Sequence, residues 1–198
     1  MASPAERAEK ASELRREAYE FLSGSGLFDL LAENFAQPTV TGSASYDLMV
    51  WRDIDIHMAV EAERWRDWMA FGGTLADFFE TIGLPLHEAT YLNDWVDPDP
   101  LGAGLYWGLK FKDAQGDPWK IDLWGWDPFD FAVRQARDDS LKVDLNICDR
   151  DLILRLKTEA RARDNYYGVR VTSLDIYQFA IARAGDSLSA LEMWKRQQ

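Results

Sequence analysis

Between Arg52 and Met58 the chain reads Arg-Asp-Ile-Asp-Ile-His-Met, and its hydrophobicity has a period of two. Only an extended strand sorts residues this way. Ile54, Ile56 and Met58 fall on one face, and Asp53, Asp55 and His57 fall on the other. The apolar face has to be covered, so the strand belongs to a sheet packed on at least one side. The polar face sets two carboxylates side by side, where they repel each other unless a cation or a retained proton relieves them.

The segments around this strand suit a mixed α/β core. Residues 4–22 predict a helix whose apolar stripe is Ala11, Leu14, Ala18, Phe21 and Leu22, ended by Gly24 and Gly26. A short helix over 27–36 precedes Pro38. Residues 38–42 (PTVTG) are β-branched and stop at Gly42, which reads as a strand entering a tight turn. Ser43 is placed to cap a brief helix running to about Met49. A helix over 61–82 follows, with Gly72-Gly73 as its weak point, and then a strand over 86–92. Residues 104–112 and 118–124 flank Asp113-Ala114-Gln115-Gly116-Asp117, a strand–turn–strand hairpin. In its second strand Ile121 and Leu123 point one way, and Lys120, Asp122 and Trp124 the other. The remainder predicts helices at about 128–140, 149–162, 174–184 and 187–196. The expected organisation is an N-terminal helix (1–22), a mixed α/β (α+β) core with a mixed sheet and flanking helices (23–127), and a helical C-terminal region (128–198).

Charge narrows the function. The net charge of −12 is concentrated in residues 23–133, which carry nineteen acids against six bases. Residues 134–198 carry twelve bases against ten acids. An acidic core argues against a broad nucleic-acid footprint, because phosphate neutralisation needs Lys and Arg. It suits a divalent cation or a cationic partner. Eight of the nine tryptophans lie between Trp51 and Trp126, either as large core side chains or as the lining of an aromatic cleft. One cysteine excludes a disulfide framework, and no apolar run approaches a membrane span. The charged N-terminal helix is not a signal peptide, so a soluble cytoplasmic protein is expected.

The chemistry-bearing constellation is Val40-Thr41-Gly42-Ser43, then Asp53-x-Asp55 eleven residues after Gly42, then Ile121-Asp122-Leu123. Two strand carboxylates at i and i+2 can share divalent cations, and Mg²⁺ prefers carboxylate oxygens together with substrate phosphates. A third carboxylate on a neighbouring strand would complete a two-metal site. The Gly-Ser turn lets backbone and hydroxyl approach a phosphate.

In this order and spacing, the chain resembles the DNA polymerase β-type nucleotidyltransferase superfamily over about residues 38–125. In size and hairpin placement it is most similar to the small antibiotic-modifying and minimal members. The resemblance implies transfer of a nucleoside monophosphate from an NTP to an acceptor hydroxyl, with Mg²⁺ as cofactor. It implies that Gly42 and Ser43 hold the triphosphate and that Asp53 and Asp55 ligate metal. Asp122 would be the third carboxylate, a metal ligand and the general base toward the acceptor. One departure stands out. The stretch Ala44–Trp51 is acidic and apolar where many members carry Arg or Ser, and only Arg52 is basic.

Other residues have a structural reading beside a functional one. His57 continues the carboxylate face, as a substrate contact or as a histidine hydrogen-bonded at the strand end. Lys120 shares the Asp122 face, as a phosphate ligand or as an edge-strand charge. Arg150, Lys157 and Arg161 form one helical stripe, to meet the triphosphate or as a solvated face paired with local acids. Tyr166 and Tyr167 are base-stacking rings or plain core, and Cys148 reads as a small buried hydrophobe.

The acceptor is expected to be a small molecule, cationic or sugar-like in the manner of an aminoglycoside or lincosamide, or a macromolecule. The acid excess counts against tRNA, and the basic C-terminal region keeps it open. A non-catalytic module on the same fold, such as an antitoxin-like partner, is the alternative from a different class. A metal-dependent phosphohydrolase on another scaffold comes third, since no His-rich metal motif is present.

Overall fold

The computed structural model describes residues 2–97 and 103–198. The chain opens with α1 (Pro4–Ser25), whose start is fixed by a capping box between Ser3 and Glu6 and whose end is the left-handed Gly26. Then come α2 (Leu27–Asn34), β1 (Thr39–Thr41), α3 (Gly42–Ser45) and β2 (Asp53–Ala59). A 3-10 turn (Ala62–Arg64) leads into α4 (Trp65–Thr81), followed by β3 (Glu88–Asn93), β4 (Leu105–Lys112) and β5 (Pro118–Trp126). The C-terminal helices are α5 (Pro128–Leu145), α6 (Arg150–Arg161), α7 (Ser173–Ile181) and α8 (Leu188–Lys195).

The described strands form a mixed sheet in the order β1-β2-β5-β4-β3. β2 runs parallel to β5, and the other neighbours are antiparallel. The mixed α/β class expected from the sequence is the one observed. The strand alternation holds as well: Ile54, Ile56 and Met58 are fully buried, while Asp53, Asp55 and His57 lie on the opposite, half-buried face.

The buried face meets α1, α2 and α4. α4 contributes Trp68, Phe71, Leu75 and Phe79, spaced three and four apart, to a core shared with Ile121, Leu123, Leu109 and Phe111. The expected weak point at Gly72-Gly73 does not interrupt α4. Gly72 instead vacates the space into which the Trp107 ring packs, and the Trp107 indole N–H donates to the Trp68 carbonyl at 2.8 Å. A second core joins α6, α7 and α8 through Ile153, Leu156, Ile176, Phe179 and Leu191. α1 serves both cores, with Leu14, Ala18 and Leu22 in the first and Ala11 in the second. No helix among the described residues is long and apolar enough to cross a membrane.

Candidate functional site

β2 and β5 are paired in parallel with Asp55 opposite Asp122 and Asp53 opposite Lys120. Residues paired across neighbouring strands point to the same face, so the register places the three carboxylates and Lys120 on one patch of sheet. β1 adds Thr41 beside Asp55, and the chain then turns sharply at Gly42 (φ +61°) into α3. A Cβ at Gly42 would collide with the Asp55 carboxylate, so the turn is pressed directly against this acid. Ser43 differs from expectation. Thr41 is the N-cap of α3 and makes no side-chain capping bond, and Ser43 lies inside a helix only four residues long. The helix ends at its C-cap Tyr46, and Asp47 then takes a left-handed backbone (φ +56°).

The electrostatics follow from this crowding. Burial, the Asp53 charge and the Asp122 charge push the Asp55 carboxyl well above the ordinary carboxylate range. Burial and the Asp122 charge also raise Asp53. The Trp51 indole N–H donates to Asp53 Oδ2 at 3.2 Å, while Asp53 Oδ1 is buried with no hydrogen-bond partner. Asp122 is the more firmly held acid. Tyr106 donates its hydroxyl to Oδ1 at 2.5 Å, and Lys120 donates to Oδ2 at 2.6 Å. Burial works against the Lys120 charge, but Asp53, Asp122 and Asp55 outweigh it and raise the ammonium above its usual value.

Asp53 and Asp55 fit a divalent cation. They form a repelling carboxylate pair of the donor type Mg²⁺ prefers, and one of their oxygens is buried and unsatisfied. Asp122 is in register to add a third ligand, but both of its oxygens are occupied. Among the described residues no three His, Cys, Asp or Glu side chains gather closely enough to hold a metal ion. Asp122 is instead turned to Tyr106 and Lys120.

Beside Asp53 opens a cleft of about 420 Å³ walled by Trp51, Trp119, Tyr167, Arg52, Lys110, Lys120 and Arg161. Arg52, Lys110 and Lys120 are half of the six bases in the acidic segment 23–133. Of the cleft's bases, Lys110 comes from β4, where it pairs with Glu88 at 2.7 Å, Lys120 from β5 and Arg161 from α6. Tyr167 packs edge-on to Trp51 with ring centroids 4.6 Å apart, and Arg161 lies 5.4 Å from the Trp51 ring centre.

Several expectations require correction. The Arg150–Lys157–Arg161 stripe does not behave as one face, because its middle member is buried. Lys157 is fully buried and donates to the Leu48 carbonyl at 2.7 Å and to the Tyr177 hydroxyl at 3.2 Å. Burial lowers its pKa to about 7, against the pull of Asp55 and Asp53. Arg150 pairs with Asp47 at 2.7 Å. His57 packs edge-on against Trp126, and burial lowers it to about 4. Tyr166 is core, and only Tyr167 reaches the cleft. Cys148 is partly exposed, with its Sγ on the Asp144 carbonyl at 3.3 Å. Trp51 and Trp119 follow the aromatic-cleft reading of the tryptophans, while Tyr106 and Gly108 beside Asp122 carried no signal beyond a glycine in the middle of an aromatic strand.

The chain matches no protein-family model and no curated protein. Among solved structures it is similar to the Cid1 poly(U) polymerase crystal structure, at 16% identity and a TM-score of 0.43 over 88% of this chain and 53% of that one. It is also similar to Cid1 in complex with the UTP analog UMPNPP, at 12% identity and a TM-score of 0.40 over 81% and 48% of the two chains. With Cid1 bound to its short product ApU the values are 15%, 0.43, 88% and 53%. This chain spans about half the length of these proteins. At such values the likeness carries no functional weight, and the site's own residues must.

Proposed function

We propose that the chain is a Mg²⁺-dependent nucleotidyltransferase that moves a nucleoside monophosphate from an NTP to an acceptor hydroxyl. The observation that carries this reading is the register: Asp53, Asp55 and Asp122 share one sheet face, beside the Gly42 turn and the basic cleft. The triphosphate lies among Lys110, Lys120 and Arg161, with Gly42 and Ser43 on its other side. Asp53 and Asp55 would hold the metal, with Asp122 as third ligand. When bound, the ion supplies Lewis-acid polarisation of the phosphate and offsets the carboxylate repulsion. Lys120 turns from Asp122 to the incoming phosphate, which frees Asp122 Oδ2. That oxygen takes the proton of the acceptor hydroxyl, the hydroxyl oxygen bonds to the α-phosphorus, and pyrophosphate leaves.

The acceptor is a small cationic or sugar-like molecule, or a macromolecular hydroxyl. The test incubates labelled NTPs and Mg²⁺ with a panel of acceptors, comparing wild type with Asp55→Asn. Transfer that falls to background in the variant supports the assignment, and undiminished transfer overturns it. The hold of Lys120 and Tyr106 on Asp122 favours one second reading, a non-catalytic interaction module on the same fold. Absence of transfer to any acceptor would put that reading first.

A further inference from the structure

Gly108 of β4 sits directly opposite Asp122 of β5. A strand glycine in a sheet interior weakens the strand, because it loses entropy and packs no side chain. Here the vacancy is filled lengthwise. The Tyr106 side chain, two residues away on the same face, leans along the strand over Gly108, so that a Cβ at position 108 would run into its hydroxyl and ring. The ring is steadied from behind by Trp124, with centroids 4.6 Å apart, and Trp124 in turn stacks on Trp126 at 4.8 Å and 9°. At its tip the Tyr106 hydroxyl meets Asp122 Oδ1, while Lys120 holds Oδ2. The two donors together fix both the rotamer and the plane of the carboxylate.

We propose that Tyr106, seated over Gly108, is a positioning residue that aims Asp122 at the Asp53–Asp55 pair. This rests on Asp122 being the third carboxylate of the nucleotidyl-transfer site. When Lys120 leaves for the phosphate, Tyr106 remains the one described side chain still fixing Asp122, so the carboxylate presents Oδ2 in a set direction. A bare aromatic cover over a strand glycine would need only the ring, not the hydroxyl.

The test is a calorimetric titration of Mn²⁺ into the full chain with a non-hydrolysable ATP analogue present. Wild type, Tyr106→Phe, Asp122→Asn and the double variant are compared, with the melting temperature of each. Partners that orient a metal ligand typically matter by about 10–100-fold in affinity, so Tyr106→Phe should weaken Mn²⁺ binding about tenfold. Its melting temperature and its affinity for the metal-free analogue should be those of wild type. Because Tyr106 acts through Asp122, the double variant should bind no more weakly than Asp122→Asn alone. Gly108→Ala, which displaces the hydroxyl without removing it, should reproduce the Tyr106→Phe loss. Wild-type affinity in Tyr106→Phe, or additive losses in the double variant, would overturn the proposal while leaving the nucleotidyltransferase reading intact. Failure of wild type itself to bind Mn²⁺ with the analogue would defeat that reading, and the proposal with it.

Discussion

Substituting alanine at Gly42 tests the turn that joins the candidate phosphate loop to the carboxylates. Two costs are expected. The left-handed backbone (φ +61°) costs a residue with a Cβ about 1–2 kcal/mol. The new methyl also lands on the Asp55 carboxylate, whose own strand cannot retreat because Ile54 and Ile56 on either side are fully buried. Overpacking of this kind costs about 1–3 kcal/mol. The sum is about 2–5 kcal/mol, a large part of the stability of an ordinary domain. Gly26 separates the two contributions. Its φ is +81°, yet a Cβ there meets nothing within 4 Å, so Gly26→Ala should show the backbone cost alone. Urea denaturation monitored by tryptophan fluorescence measures both, and at a slope of about 2 kcal/mol/M the Gly42 variant's midpoint should fall by about 1–2.5 M. In an Asp55→Ala background the collision with the carboxylate disappears and only the position-55 Cβ remains, at 3.3 Å, so Gly42→Ala should cost little more than Gly26→Ala. Equal costs for the two glycine variants in the wild-type background would refute the close approach of the turn to Asp55.

Three further outcomes are expected. Because native Asp55 holds its proton more tightly than the unfolded chain does, its contribution to stability should fall as pH rises above the ordinary carboxyl value of about 4. Asp55→Asn lacks that contribution, so the stability of the variant relative to wild type in urea melts should rise with pH; a constant difference would argue against the crowded-carboxylate picture. For Lys157 the sign is opposite. The unfolded chain binds the extra proton between about pH 7 and 10.5, so wild type should gain stability across that window relative to Lys157→Met, by up to about 5 kcal/mol. A flat difference would mean that the ammonium is better solvated than its burial implies. Replacing Arg161 and Lys110 together by alanine should raise the KM for NTP by about tenfold or more with kcat little changed, since both groups face the cleft rather than the carboxylates. An unchanged KM would place the triphosphate elsewhere.

Much of the fold was legible because it depends on local periodicity. The alternation from Asp53 to Met58, the hairpin around Asp113–Asp117 and the apolar stripe of α1 all survive in the structure with small boundary shifts. The Asp53–Asp55 pairing on one face was equally legible, because the pleat allows nothing else. The role of Ser43 was misread, since the helix begins at Gly42 and Ser43 is already inside its first turn. Of the basic stripe only Lys157 departs from both readings, since Arg150 pairs with Asp47 and Arg161 lines the cleft. Helical spacing says that Arg150, Lys157 and Arg161 share a side, but not that the Leu48 carbonyl and the Tyr177 hydroxyl wait there for an ammonium.

The sequence by itself determined the strands, their faces and the acidity of the central segment, because side-chain alternation and charge are properties of consecutive residues. Only the tertiary structure decided the register that sets Asp122 beside Asp55, the hold of Tyr106 and Lys120 on that carboxylate, and the gathering of Arg52, Lys110, Lys120 and Arg161 into one cleft. Those depend on which strand lies next to which and on a one-residue choice of alignment, and a one-residue slip would have turned Asp122 to the opposite face.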